Sequence, residues 1–243
     1  MTSSVFLRYE VLRTFRNWRF LVLALAWPLA LYLSIATANR HHSFDGISFP
    51  VYFMAAMLTV GTMNSVVTSG ARIAAERSAG WTRQIRITPL STRSYLRAKV
   101  ICGYLLALLT IGVMFAAGTA LGVRMSASEW LTLLGLTLAG LVPFAVLGIV
   151  LGHLLSADSL LPAVGGATTL FALLGGAYGF QIATSGPLFQ ICRALPSYWL
   201  VQAGKVALHG GGWPAEGWLV VAAWTLVLAP VAVLVYRRDT GRA

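Results

Sequence analysis

VYFMAAMLTVGTMNSVVTSGA (residues 51–71), RIAAERSAGWTRQIRITPLSTRSYLRAK (72–99) and VICGYLLALLT (100–110) follow one another without interruption. The first and third stretches carry no Asp, Glu, Lys or Arg, whereas the middle one holds Arg72, Arg77, Arg83, Arg86, Arg93, Arg97 and Lys99 against the single acid Glu76. Seven cations in hydrocarbon would cost about 20 kcal/mol at roughly 3 each. The middle stretch therefore stays in water while its neighbours enter lipid. The remaining sequence repeats the pattern. Only 10% of the 243 residues are charged and 58% are hydrophobic, against roughly 25% charged in a soluble domain. Such a chain is neither a soluble globule nor disordered.

Reading between charges gives six apolar stretches, each able to cross a hydrocarbon core about 30 Å thick. The expected architecture is an all-α polytopic membrane protein in a single domain, 1–243. Its spans are expected near 20–39, 50–71, 100–122, 130–153, 159–182 and 217–236. The fifth stretch is too long for one helix, so a span there is followed by a segment that dips back or lies at the interface, punctuated by Gly186 and Pro187. Fourteen basic residues fall on one side of this topology and four on the other. By the positive-inside rule both termini and the 72–99 loop are cytoplasmic in a plasma (inner) membrane. The net charge of +11 thus reads as topology rather than as nucleic-acid binding. Trp18, Trp27, Trp130, Trp213 and Trp218 fall near span ends, where amphipathic rings anchor. Small-residue spacings such as Gly148 and Gly152 suit close helix packing.

Ahead of the first span, Leu7, Val11, Phe15 and Trp18 share one helical face, and Glu10, Arg13, Thr14 and Asn17 share the other. This predicts an amphipathic interfacial helix over 4–19. Inside the 72–99 loop, Arg72 and Glu76 have ion-pair spacing. Ala74, Ala75, Ser78 and Ala79 form a slim short helix, Gly80 stops it, and Trp81 stands exposed beyond it. Thr88 and Pro89 suit the start of the third span's helix. Arg93, Arg97 and Lys99 would sit on its cytoplasmic extension.

Glu76-Arg77-Ser-Ala-Gly80-Trp81, followed by Thr88-Pro89-Leu90-Ser91 and Tyr95-Leu96, resembles the permease subunits of the ABC type-2 transporter family. The Leu195-Pro196-Ser197-Tyr198 segment adds to the likeness, which covers essentially the whole chain. Trp81 stands where many relatives carry Thr or Ser. The resemblance implies a type V exporter fold with a coupling helix between spans two and three. It implies two ATPase subunits, which would hold the ATP and Mg, and a second permease subunit, as a homodimer. It assigns Arg72, Glu76, Arg77, Gly80, Trp81 and Arg83 to the element that docks on the ATPase. It places the substrate path on spans two and five, where this chain offers Phe53, Met57, Asn64, Phe171, Tyr178 and Phe180. An apolar, aromatic path suits a hydrophobic or amphipathic cargo, either a drug-like natural product or a lipid.

No nucleotide site is expected on this chain. The pair Gly204-Lys205 is followed by Val206, and Trp199 occupies the upstream glycine position of a phosphate-binding loop. The chain is thus not expected to be an enzyme or to hold a cofactor. His41, His42 and Asp45 do not make a metal site. A stand-alone secondary transporter or uniporter is the competing class. Ion-coupled carriers use ionisable groups at membrane depth, and the spans contain none apart from His153 near a span end.

Overall fold

A computed structural model describes residues 3–44, 46–81, 90–178, 185–209 and 211–241. Among these, the chain is all-α apart from one two-residue hairpin. An N-terminal helix α1 (Ser3–Arg16) leads into α2 (Trp18–Ala38). Strands β1 (Ser43–Phe44) and β2 (Ile47–Ser48) pair antiparallel, with Ser43 opposite Ser48 and Phe44 opposite Ile47. Then follow α3 (Phe49–Ala71), the short α4 (Ile73–Ser78) and α5 (Thr92–Ala120). The second half contains α6 (Ala127–Gly140), α7 (Val142–Leu154), α8 (Ala157–Gly175), α9 (Gly186–Arg193), α10 (Pro196–Leu208) and α11 (Ala215–Gly241).

Among the described residues, five helical stretches are long and apolar enough to cross a membrane: 49–78, 92–120, 127–154, 157–175 and 215–238. The apolar helix at 25–38 belongs to α2, whose 21 residues extend about 31 Å at 1.5 Å each. The protein is therefore a multi-pass membrane protein. The 127–154 stretch breaks at Leu141, ahead of Pro143, so the fourth crossing is two helices, α6 and α7. After α8 closes on the left-handed cap Gly176, α9 and α10 occupy the segment before the last span; Pro187 and Pro196 each stand in the first turn of theirs. With 29 residues, α5 is about 44 Å long and outruns the hydrocarbon by several turns.

α3 is the axis of the bundle, packed by α2, α5, α7, α8 and α10. Nearly all its side chains are buried, from Pro50 to Ala71. Small residues let neighbours reach it. A Cβ on Gly148 would lie 2.5 Å from the Val67 carbonyl oxygen, one on Gly70 would lie 2.6 Å from the Gly148 backbone, and one on Gly152 would lie 2.6 Å from the Gly70 oxygen. The spacing read from sequence at Gly148 and Gly152 is thus packing within the single chain. At the opposite extreme, α11 is almost wholly peripheral and exposes Leu219, Leu226, Val227 and Leu234. Trp213 is a correction: expected as an interfacial anchor, it is buried and packs against Trp218 at 5.3 Å between ring centroids.

The polar start of α5 comes later than expected, at Thr92, with the Ser91 hydroxyl capping the Ser94 amide at 3.3 Å. Thr88 and Pro89 lie outside the described residues. α1 also corrects the sequence reading. Its buried residues are Phe6, Glu10 and Thr14, so the face expected to meet water turns inward. Leu7, Val11 and Phe15 are only half-buried, while Val5, Tyr9 and Leu12 are about half exposed along another stripe. The Trp18 side chain lies outside the described set.

Candidate functional site

α4 and the ends of the helices around it form a polar cluster at the end of the bundle that the charge pattern assigns to the cytosol. The apolar support comes first: Ile73 of α4 packs in one buried cluster with Phe6 of α1, Tyr95 and Ala98 of α5, and Ile149 of α7. Above it lies Glu76, 5% exposed. Its Oε1 accepts from Lys99 Nζ at 2.6 Å and from Arg13 Nη1 at 3.0 Å, and its Oε2 accepts from the Tyr95 hydroxyl at 2.5 Å. Lys99, 1% exposed, also donates to Glu10 Oε1 at 2.5 Å. The ammonium thus bridges two buried carboxylates from different helices, which compensates charges that would otherwise be expensive to bury.

The other residues expected to form the coupling element brace α4 from further sides. Arg72, at the bend between α3 and α4, donates to the Thr14 hydroxyl at 3.3 Å. Arg77 reaches across to the C-terminus of α7, donating to the His153 carbonyl at 2.7 Å and more weakly to Gly152 at 3.4 Å. A guanidinium there meets the orphan carbonyls and negative pole of a helix end. His153 donates through Nδ1 to the Ile149 carbonyl, 2.9 Å away, and its ring meets Tyr236 edge-on. The Tyr236 and Thr92 hydroxyls are 2.6 Å apart, which ties α11 to the start of α5. His153, expected near a span end, is thus buried and hydrogen-bonded at the end of α7.

Gly80 ends α4 with φ +72°, and a Cβ there would touch nothing within 4 Å. Gly80→Ala should therefore cost only the left-handed backbone penalty, about 1–2 kcal/mol, read as a small drop in thermal unfolding temperature with an unchanged elution profile. Trp81 is half-buried rather than exposed, and its Nε1 has no hydrogen-bond partner. Arg83 lies outside the described residues. On the outward side of α4, Ala75, Ser78 and Ala79 are exposed, a smooth strip of small side chains.

Of the expected path residues, Phe53 and Met57 lie in the buried core, and Phe171 and Tyr178 pack partly buried against the same core. Phe53 and Met57 are 2% and 0% exposed and belong to the core of one chain, a correction to their reading as path-lining residues. α3 is enclosed at these two positions, so neither side chain reaches an outer face. Asn64 is partly exposed and accepts from the Thr68 hydroxyl at 3.4 Å. Phe171 is half-buried between Phe144 and Trp224, at 5.3 and 6.0 Å, and Tyr178 packs partly against the core. Phe180 lies outside the described residues. The Leu195–Tyr198 segment seats against the end of α8, where a Cβ on Gly175 would be 2.9 Å from the Ser197 backbone.

Sequence reasoning missed Glu10 and Lys99 as interior groups. Lys99 was counted as a topogenic charge beside Arg93 and Arg97. A signal was present: Tyr95, Ala98, Lys99, Cys102 and Leu106 follow one helical stripe and are all buried, while Arg93 and Arg97 lie off it and are exposed.

Comparison with known proteins agrees with this architecture. Residues 22–236 match the family described as ABC-2 family transporter protein. The chain is also similar to the protein named "Putative transport permease YvfS" of Bacillus subtilis (strain 168), 27% identical over 235 residues that cover 95% of each chain. The match spans every membrane crossing and the polar cluster around α4 between them, and on that ground the chain belongs to the ABC-2 transporter family as a membrane permease subunit.

Proposed function

We propose that this chain is the membrane half of an ATP-driven exporter, with hydrolysis carried out by separate ATPase subunits that dock on α4. The observation that carries this reading is the bracing of α4. Glu76, Arg77 and Arg72 tie it to α5, α7 and α1, while its exposed strip of Ala75, Ser78 and Ala79 is left for a partner. A short helix fixed on its inner side and smooth on its outer side suits a lever. Force applied to the strip would reach three other helices at once. ATP shifts such a lever only by favouring one conformation over another.

Two permease chains as a homodimer, with two ATPase copies holding ATP and Mg, complete the machine in this reading. A hydrophobic or amphipathic cargo, drug-like or lipid, would pass beside accessible groups such as Asn64, Phe171 and Tyr178. Both termini lie in the cytosol of a bacterial plasma membrane. The test is co-purification with the ATPase encoded in the neighbouring reading frame, followed by assay of coupled hydrolysis. Ala79→Trp puts bulk on the exposed strip. It should lower co-purified ATPase at least about tenfold, a loss of roughly 1.4 kcal/mol, and leave the permease monodisperse. Full retention of the ATPase, or cargo movement in vesicles by the permease alone, overturns the reading.

A further inference from the structure

Between α1 and the α3–α4 bend lies an open cleft of about 390 Å³, lined by Tyr9, Glu10, Arg13, Asn17, Arg72 and Trp81, among others. A single water takes about 30 Å³, so this is room for a ligand group and not for one bridging solvent molecule. Its position in the bilayer follows from the sequence. Arg72 directly follows the apolar run that ends at Ala71, Lys99 directly precedes the run that starts at Val100, and Asn17 lies just ahead of the first span. Those run ends mark the boundary between hydrocarbon and water. The cleft therefore sits at the depth of the lipid headgroups.

Its charge is unbalanced. At its floor and walls, the carboxylates of Glu10 and Glu76 face the cations Lys99, Arg13 and Arg72. One positive charge is in excess among the described residues. Hydrogen bonding is incomplete as well. Trp81 Nε1 and Glu10 Oε2 are buried without hydrogen-bond partners, and Arg13 Nη1 stands 3.9 Å from that oxygen. Buried unpaired groups of this kind call for a missing ion or solvent molecule. A singly charged anion that also carries a hydrogen-bond donor answers both deficits. Finally, Tyr9 belongs both to the cleft and to the exposed stripe of α1 formed with Val5 and Leu12. An apolar tail attached to the anion would find an apolar surface directly beside the cleft.

We propose that this cleft binds the headgroup of an anionic glycerophospholipid of the cytoplasmic leaflet. The phosphodiester lies between Arg13 and Arg72 with the Trp81 N–H as a further donor, and a headgroup hydroxyl donates toward Glu10. Guanidinium groups on two walls suit a phosphodiester, which offers oxygens to both. Phosphatidylglycerol has the required single negative charge and hydroxyl donors. Phosphatidylcholine has neither a net charge nor a donor. Ala75 and Ala79 of the α4 strip also line the cleft, so it borders the proposed docking surface, but lipid retention by the isolated chain reads this inference apart from ATPase binding.

The experiment is native mass spectrometry of the purified, delipidated full-length chain offered phosphatidylglycerol, phosphatidylcholine or water-soluble glycerophosphoglycerol. The expected result is one phosphatidylglycerol per chain retained through detergent exchange, with phosphatidylcholine and the soluble headgroup not retained. Arg13→Gln should lower retention at least about tenfold, as loss of a charge-assisted bond does. Since Arg13 also touches Glu76, Trp81→Phe provides a second variant that removes one N–H and keeps the ring. It should lower retention several-fold with an unchanged unfolding temperature. Equal retention of the two lipids, or undiminished retention by both variants, overturns the proposal. Displacement of phosphatidylglycerol by an equal concentration of glycerophosphoglycerol would identify a soluble phosphodiester instead. If the isolated chain retains no lipid but an acidic segment of a docked ATPase cross-links into the cleft, the occupant is protein and the proposal is again overturned.

Discussion

Lys99→Met is expected to destabilise the chain by about 3–5 kcal/mol, the usual consequence of stripping one partner from a buried ion cluster. The geometry explains why the loss is large. Lys99 is 1% exposed, and its ammonium is the shared partner of Glu10 at 2.5 Å and Glu76 at 2.6 Å. Methionine fills similar volume, so packing is nearly conserved and the change isolates the charge. It leaves two buried carboxylates on α1 and α4 that repel each other. Glu76 keeps Arg13 and Tyr95, whereas Glu10 keeps a 3.9 Å approach to Arg13 and the attraction of Arg72. The double variant Glu10→Gln/Lys99→Met should therefore recover a large part of the loss, because the carboxylate with the poorest remaining compensation is neutralised. Thermal unfolding of purified protein in detergent, followed by tryptophan fluorescence, reads both. A single variant as stable as the parent, or a double variant worse than the single, would show that the cluster does not hold α1 to α4 and α5.

That cluster also marks where sequence reading stopped. The membrane class, the all-α architecture and the family were legible because they rest on properties that add up along the chain: charge-free runs long enough to cross, basic loops on one side, and a glutamate–arginine–glycine segment between spans two and three. Gly80 was legible as a helix stop because few other residues accept a positive φ. Facing was not legible. On α1, Glu10 and Thr14 looked like the wet face, since a carboxylate beside arginines is usually solvated. It is buried because a lysine on a helix remote in sequence meets it. Phe53 and Met57 were assigned to an outer path for the complementary reason. In a span that is apolar all round, hydrophobicity carries no moment, so nothing in α3 alone tells that five other helices cover it.

Enclosure of α3 leads to the second large effect. Gly148→Ala is expected to cost about 2–3 kcal/mol, the upper part of the range for overpacking, although alanine is the better helix former. A Cβ at 148 would stand 2.5 Å from the Val67 carbonyl oxygen and 3.0 Å from the Val67 Cα, both backbone atoms that cannot swing aside. α3 and α7 would have to separate along the whole seam, and Gly70 and Gly152 make that seam equally tight on either side. Gly135→Ala in α6 is the matched control. Nothing lies within 4 Å of the added carbon there, so the substitution should stabilise by about 0.5–1 kcal/mol through backbone entropy alone. Opposite signs for one chemical change, measured as unfolding temperatures under identical detergent conditions, would locate the seam energetically. The consequence reaches function, because α4 continues from α3 and holds α7 through Arg77. If the seam opens, the two helices that α4 would drive no longer move as one, and coupling to a partner should fall further than stability alone predicts. Parental stability in Gly148→Ala would mean that α3 and α7 slide freely past each other, and a lever of this design would then have nothing rigid to push.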